Sequence, residues 1–343
     1  MVNPFRFFER CTVFVFLFLL CACNKKEAVT VQRSFYYWKT AFHLSPKEKE
    51  TLRQLSIRQL NVKFFDVEWN GEKSAPQPVA KSIFKQAPPD SIVITPVVFL
   101  TQEPLQKASP QQLESLAVNI GNLLSSIATN NKLSVANEVQ IDCDWTAKTK
   151  EAYFFLLDAL KKQAFFQDKT LSVTIRLHQV KFRSQNGIPP ADRGLLMCYN
   201  MGNLRHPQTK NSIIEEAELK KYIRDLDSYS LPLDIALPIF DWYVLFEGDR
   251  YKGLVRDFSP PAALAKQERI LFTQDTTING YAFKKGQWLR HEKSEASVVK
   301  KCAEQLTDKL KPEKRSVILY HLDRNTITNY TLHELEDLYH SLH

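Results

Sequence analysis

Val139-Gln-Ile-Asp-Cys-Asp-Trp-Thr146 is a short apolar strand that ends in two carboxylates at alternate positions, Asp142 and Asp144. Residues two apart in a strand share a face. Both acids therefore project to one side, and Val139, Ile141 and Cys143 to the other. A helical run from Ala147 to Gln163 follows at once. Buried carboxylates are costly unless paired or used, and in α/β folds ligands bind at the C-terminal ends of strands. The chemistry of this chain is expected at this strand end.

Working outward, seven more apolar runs have strand character: Ser34–Trp38, Gln59–Glu68, Ile92–Leu100, Leu171–His178, Gly194–Asn200, Leu233–Trp242 and Ser316–Leu322. They are rich in Val, Ile, Leu and Phe, as strands covered on both faces should be. Three helices announce their starts. Ser45-Pro46-Lys47-Glu48 and Ser109-Pro110-Gln111-Gln112 pair a capping box with proline at the first helical position, and Thr331-Leu332-His333-Glu334 opens the last helix. Further helices are expected at Ser212–Asp225 and Ser294–Leu310, each with apolar spacings of three and four. Residues 70–90 and 180–193 carry Pro and Gly and predict only short helices.

This alternation predicts an α/β fold, a (β/α)8 TIM barrel over residues 35–343. A doubly wound open sheet is the alternative that the same alternation allows. Between strand 7 and helix 7 an excursion, residues 247–293, predicts a small β-rich insertion, with Lys285-Gly286 as a hairpin turn.

The 343 residues are 44% hydrophobic, with 22 Phe, 12 Tyr and 5 Trp, but only 9 Gly. Neither G-x-G-x-x-G nor G-x-x-x-x-G-K-[ST] occurs, which argues against nucleotide enzymes of those classes. The net charge of +8 comes from basic residues interleaved with Glu rather than clustered, so no nucleic-acid partner is expected. A monomer is expected.

At the N-terminus, Arg6 and Arg10 precede an apolar run, Cys11 to Leu20, too short to span a bilayer. The run ends Leu20-Cys21-Ala22-Cys23, followed by polar residues, and resembles the lipobox of bacterial lipoproteins. The resemblance implies a signal peptide at 1–22, lipidation of Cys23, a tether at 23–34, and a cell-envelope protein held to the membrane by its lipid. Beyond it only Cys143, Cys198 and Cys302 remain, too few and too dispersed for a disulfide framework or a zinc site.

The strand ends collect acids and aromatics: Trp38, Asp66, Glu68, Asp142, Asp144, Arg176, His178, Tyr199, Asn200, Asp241, Trp242 and His321. Sugar rings stack on Trp and Tyr, and glycosidic bonds break between two carboxyl groups. This composition points to a glycan as ligand. A metal needs a tighter ligand cluster than His178 and His321 offer, so neither metal nor cofactor is expected. Arg176 shares a face with Thr174 beside the strand-four acids. It is either the ion-pair partner of a structural acid or the positioner of a catalytic one, and both readings stay open.

Ile141-Asp-Cys-Asp-Trp-Thr146 resembles the strand-four signature D-G-x-D-x-D-x-E of chitinase-type (family 18) glycoside hydrolases. Leu196-Met-Cys-Tyr-Asn200 resembles their M-x-Y-[DN] motif on strand six. The resemblance implies that Asp144 orients the substrate's acetamido group, with Asp142 as its support and Tyr199 assisting. Val139 and Gln140 replace the leading Asp-Gly, and Thr146 stands where the proton-donating Glu belongs. Over Glu138–Asn203 the chain is more similar to an uncharacterised family of bacterial barrel proteins. It shares with them V-Q-x-D-x-D, L-S-x-T and M-x-Y-x-M-G motifs, the last here Met197-Cys-Tyr-Asn-Met-Gly202. Without Glu at 146, an active enzyme needs another donor, for which Asp144 with Asp241 or Glu68 as partner is the expectation. An inactive glycan-binding or scaffold barrel is the alternative.

Overall fold

A computed structural model describes residues 31–342 apart from Asp257, Lys266 and Pro312. The signal peptide and Cys23 lie outside the described residues. Eight parallel strands form a closed cylinder: β1 (Val31–Tyr37), β2 (Gln59–Asn70), β3 (Val93–Leu100), β4 (Glu138–Cys143), β5 (Thr170–Arg176), β6 (Arg193–Met197), β7 (Leu233–Pro238) and β8 (Arg315–Tyr320). Strand β1 pairs with both β2 and β8, which closes the barrel and removes the open-sheet alternative. It begins at Val31, so residues 31–34, expected in the tether, belong to the barrel.

The three capping boxes form as their sequences require, and the helices Pro46–Gln54, Pro110–Asn130 and Leu332–His340 start at them. Lys150–Lys161 and Ala296–Thr307 supply two more long helices. The helix expected over Ser212–Asp225 shrinks to Glu216–Lys220. Its first residues are recruited elsewhere: Asn200 and Gly202 donate backbone N–H to Ile213 and Ser212 carbonyls at 2.7 and 3.1 Å. Between β2 and β3 there is no helix but a strand, Ala75–Val79, antiparallel to the end of β2. Leu177–Lys181 and Arg183–Asn186 are the short helices after β5.

The outward faces of the strands are apolar and packed under the helices, with Val139, Ile141, Val173, Ile175, Leu319 and Val317 all but inaccessible. The inward face is not apolar. Ser34 donates to Asn61 at 2.8 Å, Gln59 to Thr95 at 2.7 Å, Gln140 to Ser172 at 3.3 Å, and Tyr36 to Gln140 across the bore. Each buried polar group costs free energy unless it is bonded. These ladders meet much of that cost, though the Asn61 side-chain amide nitrogen has no partner among the described residues, and leave a barrel interior that carries hydrogen bonds up to the mouth.

The insertion is a four-stranded antiparallel sheet that begins at Asp241, with Asp241–Glu247, Arg250–Val255, Arg269–Leu271 and Gln287–Lys293. A separate hairpin, Thr276–Ile278 with Tyr281–Phe283, turns at Asn279-Gly280. Both turn residues have positive φ (49° and 82°), the geometry for which Asn-Gly is favoured. Lys285-Gly286 is a turn between strands as expected, closed by Gln287 N–H donating to the Lys284 carbonyl at 3.0 Å, but the strands it joins are not paired with each other. A buried ion pair docks the insertion. Arg290 Nε donates to Glu292 Oε1 at 2.7 Å, and the two side chains are 4% and 0% exposed. The other Glu292 oxygen accepts from Ser212 Oγ at 2.5 Å and Trp242 Nε1 at 2.8 Å. Arg290 also donates to the carbonyls of His206 and Leu204 at 2.8 and 3.0 Å. One charged knot therefore joins the insertion to the loop after β6.

Candidate functional site

Strand β4 sends Asp142 into the bore, and Asp144 follows just past its end at the mouth. Thr174 on β5 donates its hydroxyl to Asp142 Oδ1 at 2.6 Å, while that same hydroxyl accepts from the Cys143 backbone at 3.1 Å. Two residues further along β5, Arg176 grips Asp144 with both prongs: Nε to Oδ1 at 2.6 Å and Nη2 to Oδ2 at 2.8 Å. The Asp144 side chain is 46% exposed and that of Arg176 22%. Exposed salt bridges are usually weak, but a bidentate pair at a barrel mouth has fixed geometry on both sides.

Asp142 lies deeper. Burial pushes its carboxyl up to about 6, and the neighbouring Asp144 and Asp66 charges add to this, against Thr174 and Arg176, which oppose it. A second bore acid, Glu138 at the other end of β4, is raised to about 7 by burial and by Asp234.

Aromatic rings make the floor of the mouth. Trp38, Tyr320 and Phe240 are partly exposed there. Tyr320 lies 5.8 Å from Trp38 and 5.7 Å from Phe240, both edge-on, and stacks at 5.4 Å on the buried Tyr199. Tyr36 beneath contacts both Trp38 and Tyr320 at 5.5 Å. Lys63 reaches to 5.6 Å from the Trp38 ring and pairs with Asp66 at 2.9 Å. Strict alternation would put positions 63 and 66 on opposite faces. A register shift between Lys63 and Phe65 supplies the extra residue that brings them together.

The mouth thus gathers Asp142, Asp144, Arg176, Tyr199, Asp66 and Trp38 from among the residues that the sequence singles out. Most of the others are engaged away from it. Asp241 bonds His291 on the insertion at 2.8 Å, and Glu68 is exposed opposite Gln77 in the β2 hairpin, so Asp144 is partnered by Arg176 and by neither acid. His178 leaves the strand because a helix starts at Leu177; it is exposed, and partial burial of the ring together with Arg176 lowers its pKa. Asn200 is exposed at a positive φ of 54°. Trp242 is buried: its ring packs at 5.2 Å on Phe240 and its indole N–H is committed to Glu292. His321 lies beside Tyr320, with ring centroids 5.0 Å apart. Trp145 is wholly buried, stacked on Tyr153 at 5.1 Å and donating to Asn186 O at 3.0 Å.

Sequence reading missed Tyr36, Lys63, Phe240 and Tyr320. The signal for Tyr36 was there, since it shares a face with Trp38. For Tyr320 the signal was the alternation of β8, where Val317 and Leu319 take the covered outer face and leave Tyr320 to the bore. Thr146 is exposed, and its contacts are to Thr149, which accepts its backbone N–H at 2.9 Å. No carboxyl group stands there. Among the described residues no cluster of three or more His, Cys, Asp or Glu is arranged to hold a metal ion.

No protein-family model and no curated protein sequence matches the chain. Solved structures do. The C-terminal domain of a putative chitinase from Desulfitobacterium hafniense superposes with a TM-score of 0.55 at 11% identity, covering 92% of this chain and all of that one. The spore cortex-lytic enzyme SleL of Bacillus megaterium gives 0.53 at 13% identity over 92% of this chain and 74% of its own. The GH18 chitinase ChiB of Flavobacterium johnsoniae gives 0.50 at 14% identity, over 91% and 94%. At such identities the likeness is one of architecture, and architecture does not carry activity with it. The chain shares with these chitinases and SleL the eight-stranded parallel barrel architecture.

Proposed function

We propose that this protein is a cell-envelope glycan-binding barrel, tethered through lipid on Cys23, which holds a sugar chain at its mouth without cleaving it. The observation that carries the reading is the state of the strand-four acids. Position 146 is a threonine engaged with Thr149, and both oxygens of Asp144 are occupied by the Arg176 guanidinium. A threonine hydroxyl cannot deliver a proton near neutral pH as a carboxylic acid does. Beside this pair lie partly exposed rings, Trp38, Tyr320 and Phe240, on which a pyranose can stack, and charged groups that can bond its hydroxyls. The fold shared with chitinases and SleL supports a glycan as the ligand class.

A hydrolase is the second reading, and one observation favours it. Asp142, with a carboxyl raised to about 6, is partly protonated near neutrality, as a general acid must be.

A glycan array followed by assay for released reducing ends separates the two. Binding without release is expected; release that disappears in Asp142→Asn would establish the enzyme instead. Trp38→Ala is expected to weaken binding about tenfold, the worth of one stacking contact, with the fold intact by circular dichroism. Unchanged affinity in that variant would move the site away from the mouth. The tether is tested by metabolic labelling with palmitate, expected in the natural chain and absent in Cys23→Ala; labelling that persists in the variant refutes it.

A further inference from the structure

The loop from Asn200 to Ser212 leaves β6 directly beyond Tyr199, and it contains Arg205, His206 and Lys210 but no acidic residue. The insertion grips it from within. Arg290 takes the carbonyls of Leu204 and His206, and Arg269 donates to that of Pro207 at 3.2 Å. With the Leu204 and His206 carbonyls held by the buried Arg290, the side chains of Arg205 and His206 are left exposed.

On the insertion sheet, Phe246 sits between two rings: Trp288, stacked at 4.5 Å, and Tyr251, edge-on at 6.2 Å. Each of these rings carries an arginine. Arg269 lies 4.7 Å from the Trp288 centroid and Arg205 5.6 Å from that of Tyr251. Both arginines are exposed. The nearby Glu247 is taken by Lys252 at 3.2 Å, and among the described residues neither Arg205 nor Arg269 forms an ion pair. Arg290 differs, since it is buried on its own partner Glu292. Two planar guanidinium groups, held against aromatic rings and tied to one backbone segment, make a pre-organised receptor for oxyanions.

We propose that this surface binds the anionic oxygen groups, carboxylate or phosphate, of a glycan whose chain runs out of the mouth past Tyr199. The inference rests on the reading of the mouth as a glycan site and adds the class of glycan: an acidic one.

The test is isothermal titration of three oligosaccharides of matched length, a neutral N-acetylglucosamine oligomer, a carboxylated one and a phosphorylated one. Each is run at low and high salt with the natural protein, Arg205→Gln/Arg269→Gln and Trp38→Ala. The acidic ligands are expected to bind at least about tenfold tighter than the neutral one at low salt, an advantage that salt screens. The double variant should lose that advantage and keep its affinity for the neutral oligomer, with an unchanged unfolding temperature showing that it folds. The two acidic arms show which oxyanion is preferred.

Equal affinity for neutral and acidic ligands, or an acidic advantage that survives in the double variant, overturns the arginine surface and leaves the mouth reading standing. An acidic advantage lost in the double variant but indifferent to Trp38→Ala supports the surface and counts against the mouth. Failure of every oligosaccharide to bind overturns both.

Discussion

Arg290→Met is expected to destabilise the protein by about 3–5 kcal/mol, the usual result of removing one partner of a buried ion pair. Methionine replaces most of the volume, so lost packing is a small part of the effect. The cost arises because Glu292, with a side chain 0% exposed, would keep its charge with only Ser212 and Trp242 as donors. The Leu204 and His206 carbonyls would also lose their donor, which frees the loop after β6 from the insertion. Adding Glu292→Gln to Arg290→Met should recover a large share of the loss, because the uncompensated charge is then gone. A surface pair makes the contrast. Lys107 and Glu103, each about half exposed at 2.6 Å, should contribute no more than about 0.5 kcal/mol. Urea unfolding of the single and double variants measures both. A loss below about 1 kcal/mol for Arg290→Met would show that water or another donor reaches Glu292.

The second large effect is a dependence of stability on pH set by the bore acids. Asp142 is raised to about 6 in the folded protein, against about 4 for an unfolded aspartate. Between those values the folded state holds the proton more tightly, so stability falls as pH rises through that window. Below about pH 4 both states are protonated and the penalty vanishes; above pH 6 it is full, at about 2–3 kcal/mol. Glu138, raised to about 7, acts with the same sign over a window that extends higher. Asp142→Asn removes the charge and keeps an oxygen to accept from Thr174. At pH 8 this variant should exceed the natural protein in stability by about 2 kcal/mol, with the difference shrinking toward zero near pH 4. Unfolding midpoints taken from pH 4 to 8 decide the matter. A difference that stays flat with pH would mean that solvent reaches Asp142 freely. Tolerance of a destabilising acid is the sign of a residue kept for something other than folding, and Asp142 lies directly beneath the proposed glycan site.

Much of the architecture was readable along the chain because it is dictated locally. Apolar runs marked all eight barrel strands to within a few residues, and three capping boxes located three helices. The pairing of Asp142 with Asp144 on the inner face, and of Arg176 beside them, followed from alternation alone. Errors arose where partners distant in sequence competed for the backbone. Ser212 and Ile213 carry helical spacing, yet they pair with Asn200 and Gly202. His178 has the alternation to stay in β5, yet the strand yields to a helix at Leu177. At the end of β8 the covered face fixes Tyr320 as a ring that enters the mouth, a signal that the sequence carried, and His321 lies beside it.

By itself, then, the order of residues determined which segments become strands and helices, which strand face meets the helices, and that two carboxylates and an arginine share the other. These follow from short-range sterics, hydrogen-bond periodicity and the separation of apolar from polar side chains. The tertiary structure alone decided that Asp144 spends both oxygens on Arg176 and that a bulge joins Lys63 to Asp66. It also decided that Asp241 and Glu68 serve elsewhere and that Arg205 and Arg269 lie over the rings on either side of Phe246. Such contacts depend on barrel closure and on how loops fall across it, and no local pattern records the distance between groups that only folding brings together.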